Sequence, residues 1–251
     1  MKKLGFAALA LLLAACGGQK GAEQTGKGDL KGNVHTVQTL IYNARQDGEQ
    51  VVKDGKPDPY REVDVFPAED KRIYNRSGQL DSVVAIVDGM KYVTVYAYQA
   101  DGVKSGEQVF QDGTLLTDRQ FLYQDGKLVN TVEDMYINGE KTTNEYPVDP
   151  AKVKEEDGKL VEYGETDRNY VIKDHEGRVL KESSYSEMDD YQTVKEYTYD
   201  VQGLLTTLIQ DDEFRFTYTY SDLDEQGNWT RLVIYMNDAP YGIVERNITY
   251  Y

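Results

Sequence analysis

Lys195-Glu-Tyr-Thr-Tyr-Asp-Val-Gln-Gly-Leu-Leu205 is the stretch whose reading decides the fold. Tyr197, Thr198 and Tyr199 are strong strand formers. Asp200 and Gly203 then bracket a turn, because an Asp side chain closes on its own backbone and Gly takes φ > 0 without steric cost. Leu204 and Leu205 open a new apolar run. The string reads strand, tight turn, strand.

The same grammar recurs along the chain. Tyr74-Asn-Arg-Ser-Gly78, Tyr98-Gln-Ala-Asp-Gly102 and Tyr123-Gln-Asp-Gly126 each place a tyrosine shortly before a turn that ends in Gly. Gly78, Gly102 and Gly126 are evenly spaced, and the same interval separates Gly203 from Gly227, which marks a repeated supersecondary unit. A second series of turns lies between them, at Asp88-Gly89, Asp112-Gly113, Asn138-Gly139, Asp189-Asp190, Asp211-Asp212 and Asn237-Asp238; Asp-Gly and Asn-Gly suit the two φ > 0 positions of a type I′ hairpin. In the strand-like run from Phe214 to Tyr220, period-2 alternation sets Phe214, Phe216, Tyr218 and Tyr220 on one face and Arg215, Thr217 and Thr219 on the other. The expected fold class is all-β, an antiparallel β-meander of about six hairpin repeats over residues 30–251, as a coiled single sheet or two layers. The period breaks at about 147–170, where Asp149 followed by Pro150 predicts one short helix running to Gly158.

These units resemble YD repeats, the RHS-type repeat made of an aromatic-rich strand, Tyr-Asp, a short turn ending in Gly and a basic or apolar strand start. Lys195–Leu205 carries the resemblance most fully, and His175-Glu-Gly-Arg-Val-Leu180 matches the turn and the strand after it. Gln99 and Gln124 stand where the family has Asp. The stretches Asp224–Arg231 and Glu245–Tyr250 look like the ending of uncharacterised YD-repeat-like lipoproteins. The resemblance covers about residues 70–250 and implies a fold more than a function. Large RHS proteins wrap toxin domains in a cocoon of such repeats, and about six units with no appended toxin are too few for that.

The N-terminus carries an address. Lys2 and Lys3 form a positive start, Leu4 to Ala15 is apolar, and the run is shorter than the about 20 residues a membrane-spanning helix needs. It stops at Leu13-Ala-Ala-Cys16-Gly17, which resembles the lipobox of bacterial lipoproteins. The resemblance implies that residues 1–15 are a signal peptide and that Cys16 is the lipidation site, diacylglyceryl-modified on sulfur and then acylated (palmitate-type chains) on its new amine. Several acyl chains on one residue hold a soluble domain at a bilayer where a single chain is marginal. Residues 16–29 are rich in Gly, Lys, Gln and Thr with almost nothing apolar, and are expected to be a flexible tether. Cys16 is the only cysteine, so no disulfide supports the fold.

The formal net charge is −16, and removal of Lys2 and Lys3 with the signal makes it more negative. Such a chain repels phosphate backbones and anionic lipid surfaces, so no nucleic-acid partner is expected. A lipid-facing barrel is also excluded, because adjacent charges at Asp118-Arg119, Glu133-Asp134, Lys195-Glu196 and Glu245-Arg246 put charge on both faces of the strands.

Candidate sites are sparse. His35 and His175 lie far apart in sequence beside turn-like residues, and no nucleophile elbow, HExxH or phosphate-binding loop appears. Asp222, Asp224 and Asn228 copy the first half of a calcium loop, but its twelfth position is Val233 where a bidentate Glu belongs, so an ordinary hairpin loop is the favoured reading and no metal or cofactor is expected. Trp229, the sole tryptophan, with Tyr218 and Tyr220, offers stacking area for a glycan or protein, against the plainer reading of aromatics covering a sheet. The expected function is that of a non-enzymatic envelope lipoprotein binding another envelope protein or a glycan. A carboxylate-based polysaccharide hydrolase and a structural spacer are the alternatives. Gly17-Gly-Gln-Lys20 carries no acidic run, which favours the periplasmic face of the outer membrane over the cell surface.

Overall fold

The computed structural model describes residues 30–57, 65–164, 166–188 and 190–251. The signal segment, Cys16 and the tether over 16–29 lie outside them. The described chain is built of strands: β1 Val34–Asp47, β2 Gln50–Lys53, β3 Asp70–Tyr74, β4 Leu80–Val87, β5 Met90–Tyr98, β6 Lys104–Gln111, β7 Thr114–Gln124, β8 Lys127–Ile137 and β9 Glu140–Pro147. After a break come β10 Val153–Glu156, β11 Lys159–Tyr163, β12 Tyr170–Lys173, β13 Val179–Ser186, β14 Tyr191–Tyr199, β15 Leu205–Gln210, β16 Phe214–Leu223, β17 Trp229–Met236 and β18 Ala239–Tyr250. They form one antiparallel sheet of 18 strands. Strands β3 to β9 pair in chain order, as do β10 to β18, and β1 joins the halves by pairing with both β18 and β3.

The repeated turns explain themselves residue by residue. In the loops that begin at Asn75, Asp174, Asp200 and Asp224, one side-chain oxygen accepts the amides two and four residues on. The backbone closes the same loops, for example Asp200 N to Leu204 O at 2.9 Å and Gly203 N to Asp200 O at 3.0 Å. The closing glycines sit at positive φ, 79° at Gly78 and 83° at Gly203. Gln99 has no such oxygen to offer at the right reach; Asp101 accepts the Val103 amide in its place. The tyrosines have a structural task as well. The hydroxyls of Tyr98, Tyr199 and Tyr220 donate to the carbonyls of Leu80, Val179 and Leu205, each the first residue of the preceding strand, at 2.7, 2.9 and 2.9 Å.

The expected helix from Asp149 to Gly158 does not form. Only Pro150–Lys152 makes a 3₁₀ turn, with the Asp149 side chain accepting the Ala151 amide. Val153–Glu156 instead pairs with β11, because Asp157 (φ 51°) and Gly158 (φ 72°) make a type I′ hairpin of it. Lys-Glu-Glu is good helix sequence, and tertiary pairing overrides it.

This break also shapes the sheet. From β9 round to β10 there are sixteen antiparallel pairings, an even number, so the two strands run in the same direction. Sixteen strand spacings would hold the ends of a flat sheet about 77 Å apart, whereas residues 148–152 reach only about 20 Å. The sheet must therefore be rolled until its ends approach. No ladder closes the seam among the described residues; the chain itself steps across it, from β9 on β8 to β10 on β11.

One parity is buried along most of the roll and is its concave face. Phe216, Ile234 and Val244 are fully buried there around Phe66 and Tyr241. A second apolar cluster, Leu30, Val34, Val37, Tyr74 and Leu80, lies on the same face. Gly242 is required by the first cluster: a Cβ at that position would lie 2.2 Å from the Phe66 ring.

Candidate functional site

The register sorts the adjacent charge pairs of the sequence onto opposite faces. Arg119, Glu133, Lys195 and Arg246 are concave, and Asp118, Asp134, Glu196 and Glu245 are convex. Lys71, Lys181 and Arg215 add to the convex set. A wall facing lipid would not carry this charge.

On the concave side of β6 to β9 the charges form a ladder. Tyr96 faces Glu107, Glu107 faces Arg119, and Arg119 faces Glu133. Arg119 Nη1 donates to Glu107 at 2.6 Å and its Nε donates to Glu133 at 2.5 Å. Lys104 Nζ donates to the other oxygen of Glu107 at 3.3 Å, and Tyr146 OH to the other oxygen of Glu133 at 3.1 Å. The two glutamates are about 5% exposed and Arg119 is 12% exposed. Burial opposes the charge on Arg119, but its bonds to both carboxylates outweigh this and raise its pKa. Two cations balance two anions, so the ladder is neutral as a unit.

The other half of the roll repeats the arrangement more loosely. Lys173 Nζ meets Glu162 at 2.8 Å, Lys195 meets Glu182 at 3.5 Å, and Tyr197 OH donates to Glu182 at 2.7 Å. Burial, then the neighbouring Glu182 charge, pushes the Tyr197 phenol well above its usual range. Between the apolar clusters, Asp70 is 3% exposed and pairs with Arg72 Nε at 3.1 Å. Burial raises its pKa even against Arg72 and Arg246.

The residues singled out from sequence fall elsewhere. Trp229 and Tyr218 are buried core residues, 6% and 8% exposed, and Tyr220 packs edge-on to Trp229 at 5.1 Å. Arg246 lies 3.6 Å above the Trp229 ring. These three are therefore not an open stacking platform, because the alternation that aligns Tyr218 and Tyr220 with Phe216 also aims them at the concave core, where Tyr220 covers Trp229. Asp224 and Asn228 are consumed by the fold: Asp224 accepts the amides of Gln226 and Asn228 and the hydroxyl of Tyr250, while Asn228 clamps both backbone groups of Lys31. Asp222 is an exposed residue at φ 52°. No group of three or more metal-type ligands occurs among the described residues. His35 packs on Tyr251 at 4.6 Å and His175 is exposed in the turn after β12, on strands far apart in the sheet. Cys16 lies outside the described residues.

The buried ladder was missed in the sequence because single charges in a strand look alike until register assigns them a face. The signal that finds it is the pairing of the Gly102, Asp112-Gly113, Gly126 and Asn138-Gly139 turns, which sets Glu107, Arg119 and Glu133 side by side.

No family model matches the chain, and no curated protein matches it. Among solved structures it is similar to a porin-like protein from Bacteroides uniformis, at 14% identity over 88% of this chain and 98% of that one, with a TM-score of 0.42. Neither transport nor membrane insertion passes from one chain to the other at that distance.

Proposed function

We propose that this chain is an outer-membrane lipoprotein, anchored through Cys16 and facing the periplasm, whose rolled meander is a non-enzymatic module that binds another envelope protein or a glycan. The lipobox-like Leu13-Ala-Ala-Cys16 supports the anchor. The carrying observation for the module is how its buried carboxylates are held. Glu107 and Glu133 share one guanidinium, and Glu162 and Glu182 each have a lysine. Carboxylate catalysis needs two carboxyl groups free to face a substrate; both oxygens of Glu107 and both of Glu133 are already bonded within the ladder.

The test is recovery of partners from cross-linked envelopes, alongside incubation of the purified protein with cell-wall and capsular polysaccharides. The proposal expects one specific protein or glycan and no new reducing ends. Release of reducing ends would replace it with the hydrolase reading, and recovery of no specific partner with the spacer reading.

A further inference from the structure

The seam leaves one long strand half used. Every strand from β3 to β8 and from β11 to β18 is paired on both sides, as is β1. Among the described residues β2, β9 and β10 are paired on one side, and of these only β9 is longer than four residues. Its register shows which backbone groups are unused. Asn138 and Gly139, both at positive φ, make a two-residue hairpin in which Ile137 and Glu140 exchange hydrogen bonds. The alternation of an antiparallel ladder then turns the backbone groups of Thr142, Asn144 and Tyr146 to β8 as well, and the Val148 amide continues it on the Val129 carbonyl at 3.0 Å. The amides and carbonyls of Lys141, Thr143 and Glu145 therefore point into the seam. Pro147 falls in the same outward series, where its missing N–H costs the ladder with β8 nothing. All of β9 except Asn144 is exposed.

The seam also selects what fits there. Because β9 and β10 run in the same direction, no antiparallel ladder closes between them, but a strand laid against β9 is antiparallel to both. One interposed strand needs about 10 Å between the edges, two sheet spacings, and the step across residues 148–152 leaves up to about 20 Å. A second copy of the roll does not fit. Two-fold pairing of β9 with β9 keeps convex face beside convex face, so the second sheet would continue the curve of the first and run into β10. The side chains add a direction. Lys141, Thr143 and Glu145 lie on the convex face, opposite Tyr136, Asp134 and Val132, and Lys141 Nζ stands 2.6 Å from Asp134. Charge on an edge strand commonly guards it against sticking; here the two charges are opposite and flank the free backbone, so they discriminate among strands. An antiparallel strand with a basic residue, a β-branched one two places on and an acidic one two further sets its cation at Glu145 and its anion at Lys141.

We infer that β9 takes an extended segment of another envelope protein as an added antiparallel strand, held by the seam-facing backbone of Lys141, Thr143 and Glu145 and set in register by the Lys141 and Glu145 side chains. Main-chain bonds give such an addition its affinity, and side chains give it specificity. The inference rests on the protein form of the proposed function and gives it a site.

The probe is the fluorescently labelled peptide Glu-Lys-Thr-Thr-Asn-Glu-Tyr, capped at both ends, which has the order of β9 itself and meets the charge rule when it lies antiparallel. It is titrated into the full protein and read by anisotropy. Saturable binding is expected, weakened at least tenfold when the lysine and the second glutamate of the peptide are exchanged and when its second threonine is N-methylated. Thr143→Pro removes a seam-facing N–H and no backbone bond to β8; it is expected to bind at least tenfold more weakly while circular dichroism and melting show the fold retained. Undetectable binding, equal binding of the N-methylated or charge-exchanged peptide, or a dimer in sedimentation that Thr143→Pro abolishes overturns the assignment. Cross-linking in envelopes with wild type and Thr143→Pro separates the two claims: a protein captured equally by both removes this edge and leaves the module standing.

Discussion

At the scale of single residues, close packing and hydrogen bonding make definite demands. Gly242→Ala places a methyl group against Phe66, and overpacking of this kind costs about 1–3 kcal/mol; urea unfolding should show that loss, and an unchanged midpoint would mean Phe66 does not sit there in solution. Asp174 and Asp224 are both partly desolvated, which raises a carboxyl pKa. Arg178 with local amides at Asp174, and Tyr250 with local amides at Asp224, outweigh this and hold both below the usual carboxylate range. A folded-state pKa below the unfolded one gives stability that is present above about pH 4 and is lost as pH falls through the folded value. Asp70 is shifted the other way by burial, so its penalty grows as pH rises through its folded pKa. Thermal melts between pH 5 and 2 should therefore show a shallower acid slope for Asp174→Asn/Asp224→Asn than for wild type. An unchanged slope would mean those carboxylates are not held in their charged form.

At the scale of elements, the strands and turns were legible because their signals are local. Asp-Gly and Asn-Gly pairs, and an Asx residue three before a Gly, each carry their own geometry. The segment after Pro147 was not, since Lys-Glu-Glu favours a helix and only the distant pairing with β11 makes it a strand. In the sequence the tyrosines are strand formers and a potential binding face, but the hydroxyls of Tyr98, Tyr199 and Tyr220 bind the preceding strand. Tyr199→Phe should cost about 0.5–1.5 kcal/mol by releasing the Val179 carbonyl. The buried ladder makes a larger demand. Arg119→Met leaves Glu133 without its cation and Glu107 with Lys104 alone, and should cost about 3–5 kcal/mol, whereas replacing Lys104, Glu107, Arg119 and Glu133 together with apolar residues should cost much less. Equal losses in the single and quadruple variants, measured by denaturant titration, would contradict the ladder.

At the scale of the whole molecule, the roll has no local signature. It follows only when a sixteen-pairing circuit is set against a five-residue step between β9 and β10. The faces were half legible: adjacent charges foretold charge on both sides, and the register shows which side each occupies. A convex wall bearing Asp118, Asp134, Lys181 and Glu196 has no affinity for hydrocarbon, so the proposed anchoring rests on Cys16 and not on the sheet. At the start of the described residues, Asn228 clamps Lys31 beside the Asp224 turn. The direct measurement is membrane fractionation of the Cys16→Ala protein after export. The lipid-anchor account predicts a folded protein wholly in the soluble fraction, while the wild type sediments with membranes; a Cys16→Ala protein that stays in the membrane pellet through a carbonate wash would contradict it.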